Sequence, residues 1–213
     1  MFEQSSVRAG FRSHATRRRA VAIALVVGSI SLPLPGRPPA TARKVRGSKA
    51  ARGESVPNYG VIWEGKLTRS GQPRDEEGWA RLREQGARSI VNFRTQDGVD
   101  YTGRRFGRVL WLPLKGKDPP TDAEAEKFLA FVRDPANWPV HIHCKAGESR
   151  TGLMAALVRY AIDGWPLERA LAEARTYRGG DDLSPPYVAW LRRWAAAHTP
   201  GRYRLDPPAD AIY

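Results

Sequence analysis

Residues 140–152 of this chain read VHIHCKAGESRTG. The first part, Val140 to His143, is short, apolar and β-prone, which predicts a buried strand. From Gly152 to Tyr160, apolar side chains recur at helical spacing, which predicts a helix. The residues between them therefore form a strand–loop–helix turn, in which backbone N–H groups and a helix N-terminus point at one spot. A turn of this kind binds a tetrahedral anion.

The loop also contains a nucleophile and a cation. Cys144 is the only cysteine of the chain, and Arg150 and Thr151 follow it a few residues later in the sequence. A helix N-terminus and an arginine next to a thiol favour the nucleophilic thiolate form of that thiol. Arg150 can add two parallel charge-assisted hydrogen bonds to an oxyanion. This combination predicts nucleophilic attack by Cys144 on phosphorus.

The rest of the chain alternates short strands and helices from Tyr59 onward. Ser89 to Phe93 is apolar and predicts a further buried strand, and Thr121-x-x-Glu124 is a capping box that predicts the start of a helix ending near Arg133. Strands that alternate with helices around one sheet make an α/β domain.

The run His-Cys-Lys-Ala-Gly-x-x-Arg-Thr-Gly resembles the Cys-x5-Arg-Thr/Ser signature of the protein tyrosine phosphatase superfamily, and it is similar to the dual-specificity branch. Residues 67–73 (LTRSGQP) and 90–94 (IVNFR) look like segments common in bacterial and fungal members. The chain as a whole resembles the periplasmic dual-specificity phosphatases of Gram-negative bacteria. The resemblance implies a single α/β domain with a central, mostly parallel sheet flanked by helices.

The resemblance also implies a role for each residue of the turn. Cys144 would be the nucleophile that forms a cysteinyl-phosphate, and Arg150 would hold two phosphate oxygens in the transition state. Thr151 would donate its hydroxyl to the sulfur, and His143 would support the turn from its buried side. The backbone N–H groups of the phosphate loop would bind the phosphate, and this loop consists of Lys145, Ala146, Gly147, Glu148, Ser149 and Arg150.

Departure of the leaving group requires an acid, which the family keeps as an aspartate on a mobile loop before the cysteine. Asp118 lies between Gly116 and the rigid pair Pro119-Pro120, outside any predicted element, so it can be presented to a pocket. Asp122 lies in the first turn of a predicted helix, where the helix dipole already explains a carboxylate. We expect Asp118 to be the acid; Asp122, or no acid on this loop, are the alternatives.

The scheme requires no metal and no cofactor, because the loop and Arg150 supply the positive field. A metal site at His141, His143 and Cys144 would lack a full set of ligands nearby. Glu148 stands where similar loops of phosphoinositide phosphatases carry a lysine, and a carboxylate repels a highly phosphorylated ring. The expected substrate is therefore phosphotyrosine, with phosphoserine or phosphothreonine in a protein, or a small phosphoester, as further candidates.

Three alternative functions stay open at this point. The first is a phosphoinositide or small-molecule phosphatase of the same fold. The second is a catalytically weak pseudophosphatase that binds phosphate without turnover. The third is a rhodanese-like sulfur transferase, whose active loop also starts with cysteine, although the Arg-Thr-Gly ending argues against it.

The charge of the chain is concentrated at its beginning. Residues 1–52 hold 11 Lys/Arg and one acid, so they carry most of the formal net charge of +13. The remainder is close to neutral, with charges mixed along the predicted helices. We therefore expect no nucleic-acid partner, despite the high isoelectric point.

Residues 1–42 have the pattern of a secretory signal peptide. Several arginines precede an apolar run from Ala20 to Leu34, which is shorter than the roughly 20 residues that cross a bilayer. Ala40-Thr41-Ala42 then supplies a small-x-small cleavage site. We expect a periplasmic or secreted protein cut after Ala42; an uncleaved inner-membrane anchor and a cytoplasmic protein with an apolar leader are the alternatives.

The domain boundaries follow from this division. Residues 43–57 are predicted to be a basic flexible linker, whose cations can contact an anionic membrane surface. Residues 58–200 are predicted to form the phosphatase domain, and residues 201–213 a C-terminal tail.

Overall fold

The computed structural model describes residues 54–96 and 98–205 of the chain. The predicted signal peptide and residues 43–53 of the predicted linker lie outside the described residues, as do residues 206–213. Within the described ranges, no helix is both long and apolar enough to span a membrane.

Five strands form a single sheet in the described part of the chain. They are β1 (Gly60–Trp63), β2 (Leu67–Gly71), β3 (Ser89–Asn92), β4 (Arg108–Trp111) and β5 (Val140–Cys144), in the order β1-β2-β5-β3-β4. The first pair, β1 and β2, is antiparallel, and the other neighbouring strands are parallel. The predicted central, mostly parallel sheet is therefore confirmed, with β5 in the middle.

Five α-helices lie in the described ranges, and they include the two predicted from Thr121 to about Arg133 and over Gly152 to Tyr160. They are α1 (Glu76–Glu84), α2 (Asp122–Arg133), α3 (Ser149–Ala161), α4 (Leu167–Thr176) and α5 (Pro185–Ala197). The predicted capping box is confirmed: Thr121 accepts from the Glu124 N–H at 3.2 Å, and Glu124 accepts from the Thr121 N–H at 2.7 Å. Local side-chain patterns thus decide these helix ends.

The central strand β5 is buried on both faces, and its alternating sequence divides the core. Val140, Ile142 and Cys144 face the larger apolar cluster, which contains much of α2, α3 and α5. His141 and His143 face the opposite side, where the Trp79 ring of α1 packs against His143. Both sides of the sheet are therefore covered, which is the expected condition for a mostly parallel sheet.

At both predicted boundaries of the phosphatase domain, residues just outside it contact residues inside it. Val56, assigned to the flexible linker, is buried in the cluster around α1, and the Pro57 carbonyl accepts from the Gly71 N–H at 2.8 Å. At the other end, the predicted tail contributes N–H donors from Gly201 and Tyr203 to the last turn of α3, each at 2.9 Å. In both cases the segment is ordered by contacts with residues distant in sequence, which composition does not indicate.

Candidate active site

The phosphate loop follows the carboxyl end of β5 and leads directly into α3. Because β5 is flanked by β2 and β3, the loop lies at the centre of the sheet edge where ligands of parallel α/β sheets bind. No side chain caps the first N–H groups of α3, whose N-cap residue is Glu148. These donors and the positive end of the helix dipole are thus available to an anion.

Cys144 ends β5 with its side chain toward the core side of α3, and it is 3% exposed. Its Sγ atom accepts a hydrogen bond from the backbone N–H of Gly147 at 3.3 Å. The loop thus turns one backbone donor toward the sulfur. A donor in this position stabilises a thiolate.

The loop packs against the end of β2 so closely that two glycines are required. A Cβ atom on Gly147, whose φ is +75°, would lie 2.3 Å from the Gly71 nitrogen, and a Cβ on Gly71 would lie 2.8 Å from the Ala146 carbonyl carbon. Just after β2, the Gln72 N–H donates to the carbonyls of Cys144 at 2.8 Å and Lys145 at 3.2 Å. The segment 67–73 therefore packs against the phosphate loop and donates hydrogen bonds to carbonyls at its start.

Arg69 is a buried cation under the loop to which the sequence analysis gave no role. Its side chain is almost fully buried, and Nη2 donates to the Gly147 carbonyl at 2.7 Å. The guanidinium lies 3.7 Å above the Tyr177 ring, while Nε and Nη1 have no hydrogen-bond partner among the described residues. Burial lowers the pKa of Arg69, and the charge of Cys144 is among those that act to raise it. Arg69 thus holds the residue whose N–H donates to the sulfur. Its position within the LTRSGQP segment, which resembles segments of family members, was the feature of the sequence that could have indicated this role.

Arg150 lies in the first turn of α3 and is half-buried. Its Nη1 atom donates to the Phe93 carbonyl at 3.2 Å and to the Leu114 carbonyl at 3.4 Å. Phe93 follows β3 and Leu114 precedes the predicted acid, so one guanidinium nitrogen joins both segments. A planar guanidinium fixed at one nitrogen keeps its orientation for a bidentate contact through the others.

The expected hydrogen bond from Thr151 to the sulfur is not the one that the structure has. The buried Thr151 hydroxyl donates instead to the Ser70 carbonyl at the end of β2, at 3.5 Å. A buried carbonyl requires a donor, and α3 packs directly against this strand end. Thr151 therefore ties the first turn of α3 to β2 in this structure.

His143 is fully buried on the face of β5 opposite Cys144. Its Nδ1 lies 3.4 Å from the Cys144 carbonyl, and its Nε2 lies 3.0 Å from the Tyr101 hydroxyl. Burial lowers the pKa of His143 to about 4, so the ring is neutral at pH 7. A neutral Nδ1–H donates to the carbonyl while Nε2 accepts from tyrosine. His143 thus contacts the start of the loop from the face of β5 opposite Cys144, and its supporting role stays a prediction.

The two candidate acids occupy different environments. Asp122 accepts two hydrogen bonds from Arg193 of α5, at 2.9 and 3.1 Å, and these bonds lower the pKa of its carboxyl group. Asp118 is exposed in a turn closed by its own N–H and the Lys115 carbonyl at 2.8 Å. Asp122 is therefore paired with Arg193, whereas Asp118 is exposed and lies beside the segment that Arg150 contacts.

Three side chains of the phosphate loop, those of Lys145, Ala146 and Glu148, are exposed. Ser149 accepts a hydrogen bond from Arg178, which lies in the loop between α4 and α5. That loop, flexible and polar in sequence, therefore contacts the rim of the site. In the described ranges, no group of three His, Cys, Asp or Glu side chains could hold a metal ion.

Known proteins resemble this chain over the same region. A family model described as DSP-PTPase phosphatase fused to NAD+ kinase matches residues 58–189. The dual specificity protein phosphatase TpbA of Pseudomonas aeruginosa is 34% identical over 117 residues, which cover 54% of this chain and 53% of TpbA. The inositol diphosphatase DSP5 of Arabidopsis thaliana is 29% identical over 131 residues, which cover 58% of this chain and 63% of DSP5. The chain thus spans about half the length of the first curated relatives that it matches.

Solved structures show the same architecture. A cysteine-to-serine variant of P. aeruginosa TpbA in complex with phosphotyrosine superposes with a TM-score of 0.54 at 28% identity, covering 75% of this chain and 98% of that one. The catalytic core of the PP-IP phosphatase SIW14 from S. cerevisiae gives a TM-score of 0.55 at 21% identity, covering 66% and 92%, and supports the fold alone. With the family model matching more than half of its length, this chain belongs to the DSP-PTPase family, within the protein tyrosine phosphatase superfamily.

Proposed function

We propose that the protein is an exported, cysteine-dependent phosphatase that hydrolyses phosphotyrosine monoesters. One arrangement of groups carries the proposal. The only thiol of the chain accepts a hydrogen bond from a backbone N–H of the loop, and this loop ends at an uncapped helix N-terminus. The first turn of that helix carries a guanidinium anchored at the Phe93 and Leu114 carbonyls. These groups are the nucleophile, the oxyanion donors and the charge that transfer of a phosphoryl group requires.

The proposed reaction has two steps. The Cys144 thiolate attacks phosphorus, an S–P bond forms, and the bond to the leaving oxygen breaks while Asp118 gives that oxygen its proton. Water then attacks phosphorus, Asp118 accepts its proton, and the S–P bond breaks to release inorganic phosphate. In both steps Arg150 and the loop N–H groups bind the equatorial oxygens, where the charge lies in the transition state.

The relatives favour different substrates. The TpbA variant was solved with phosphotyrosine, which supports an aryl phosphate as the substrate of this chain. The inositol diphosphatases DSP5 and DSP3, at 29% and 28% identity, favour a phosphorylated inositol as the second candidate. The exposed carboxylate of Glu148 on the loop weighs against a ligand with many phosphates, because like charges repel. Phosphotyrosine is therefore the first candidate.

A panel of phosphate esters tests this proposal. The full chain is incubated with a phosphotyrosine peptide, a phosphoserine and a phosphothreonine peptide, an inositol diphosphate and phosphoinositide vesicles, and released phosphate is measured. We expect the phosphotyrosine peptide to be the best substrate and orthovanadate to inhibit its hydrolysis. Faster release from the inositol compound would replace the first candidate by the second, and tight phosphopeptide binding without any release would establish a pseudophosphatase.

The role of Asp118 predicts a loss that depends on the leaving group. Asp118→Asn should lower kcat/KM for phenyl phosphate by about 100-fold, the usual contribution of a general acid. It should change kcat/KM for 2,4-dinitrophenyl phosphate little, because dinitrophenolate departs without a proton. Asp122→Asn is the matched control, since its carboxylate is paired with Arg193. Equal losses on both esters would remove Asp118 from the acid role.

Export is the part of the proposal that depends on the leader alone. The support is the arginine-rich start, the apolar run and the Ala40-Thr41-Ala42 pattern, all of which lie outside the described residues. The test is expression of the full chain in a Gram-negative host, followed by fractionation and N-terminal sequencing. A mature periplasmic protein that begins at Arg43 is expected. Recovery of the uncut chain from the cytoplasm would contradict export, and recovery from the membrane fraction would indicate an anchor.

A further inference from the structure

Tyr187 connects α5 to the turn that carries the proposed acid. It lies in the first turn of α5, just after Pro185 and Pro186, and its side chain is 1% exposed. Its hydroxyl donates to the Gly116 carbonyl at 3.1 Å. The prolines restrict the backbone at the start of the helix, so the phenol is held on a rigid support.

The turn itself has few contacts of its own. Residues 115–118 are exposed, Gly116 has φ +49°, and the turn is closed by one backbone hydrogen bond from Asp118 to Lys115. Side chains of two other elements donate hydrogen bonds to residues 114–118: Arg150 of α3 to the Leu114 carbonyl and Tyr187 of α5 to the Gly116 carbonyl. A short exposed turn with a glycine samples many conformations unless such contacts restrict it.

Tyr187 also lies within electrostatic range of each proposed reacting group. Burial raises the pKa of its phenol, Arg150 acts to lower it, and the charges of Cys144 and Asp118 act to raise it further. The charges of the proposed nucleophile, guanidinium and acid therefore all act on this phenol. It remains protonated at neutral pH, which suits a hydrogen-bond donor.

We propose that Tyr187 is the positioning residue of the acid turn: its hydroxyl holds the Gly116 carbonyl, so that Asp118 is presented to the oxygen that leaves phosphorus. The inference rests on the proposed function and specifies how the acid is placed. Tyr187 itself gains and loses no proton. Its contribution is preorganisation, since a proton donor acts only within hydrogen-bond reach of the leaving oxygen.

The test compares Tyr187→Phe with Tyr160→Phe. Tyr160 is a matched control because its hydroxyl also binds backbone carbonyls, those of Ala195 and His198 at the other end of α5. Tyr187→Phe should lower kcat/KM for phenyl phosphate by about tenfold, as expected for one lost hydrogen bond. Its kcat/KM for 2,4-dinitrophenyl phosphate should stay near the wild-type value. Tyr160→Phe should affect the two esters equally or not at all.

Three results would overturn the positioning role. They are equal losses of Tyr187→Phe on both esters, no loss on either, and a full further loss when it is added to Asp118→Asn. In the last case the two residues would act independently, whereas residues that act as a unit are not additive.

A second measurement needs no turnover and so separates this inference from the proposed function. Amide hydrogen exchange across residues 114–120 should be faster in Tyr187→Phe than in the wild type or in Tyr160→Phe. Unchanged exchange would contradict the contact even in a protein that hydrolyses no ester, and faster exchange would support it there.

Discussion

The Cys144→Ser variant should release phosphate from a phosphotyrosine peptide at least about 10⁵ times more slowly than the wild type, the order of loss when a hydrolase loses its nucleophile. A serine hydroxyl in this loop is almost fully protonated, and the two histidines of the adjacent strand, His141 and His143, lie on the face of β5 opposite Cys144, where they cannot act as its base. The measurement is released phosphate over hours, with protein folding checked by circular dichroism.

The same variant should still bind the phosphopeptide. The N–H groups of the loop, the N-terminus of α3 and Arg150 are unchanged by the substitution, so calorimetry should still detect phosphopeptide binding to the variant, and inorganic phosphate should bind the variant and the wild type with similar dissociation constants. Acid quenching of the wild type with ³²P-labelled peptide should trap a phosphoenzyme, and the variant should trap none. Turnover in Cys144→Ser within tenfold of wild type would falsify the proposed mechanism.

Arg150→Lys should produce the second largest loss, about 10³-fold in kcat, in the range known for arginines that stabilise phosphoryl transfer. The reason is geometric. Arg150 uses one nitrogen to hold the Phe93 and Leu114 carbonyls, and in the proposed mechanism its other nitrogens bind phosphate oxygens, whereas a lysine is a single point charge and cannot do both. The substitution preserves the positive charge and removes the planar guanidinium, so the experiment measures the contribution of the guanidinium geometry to kcat.

The control is Arg192→Lys, an equivalent change at an exposed α5 residue that pairs with Glu168. It should leave kcat and KM unchanged, because exposed ion pairs contribute little. A kcat for Arg150→Lys within threefold of wild type would show that charge is sufficient and that the bidentate contact has no role.

The fold followed from local patterns to a large extent. Alternating strands and helices, the Thr121–Glu124 capping box and the apolar run before Cys144 predict elements that the structure confirms. The packing of Val56 and Tyr203 onto the domain did not follow from local sequence patterns. These residues pack against distant parts of the chain, and their immediate neighbours, Ser55 and Pro57 or Arg202 and Arg204, form no apolar pattern that would indicate this.

The site divides in the same way. Arg69 and Gly147 are 78 residues apart and Tyr187 and Gly116 are 71 apart, yet each pair is joined by a hydrogen bond. Nothing in the spacing of these residues indicates that contact. The difference between the candidate acids is also a long-range effect, because the partner of Asp122 is Arg193 on α5.

The sequence by itself determined the α/β class, the family resemblance and the presence of Cys144 and Arg150 on one strand–loop–helix turn. It did so because a strand, a loop and a helix N-terminus joined within a few residues have little freedom to arrange themselves otherwise. Only the tertiary structure decided what holds that loop, where Thr151 donates its hydroxyl, and which aspartate is left without an ion pair in the described chain. Those outcomes depend on which strand ends and helices the sheet brings together, and hydrogen bonds act only over a few ångströms.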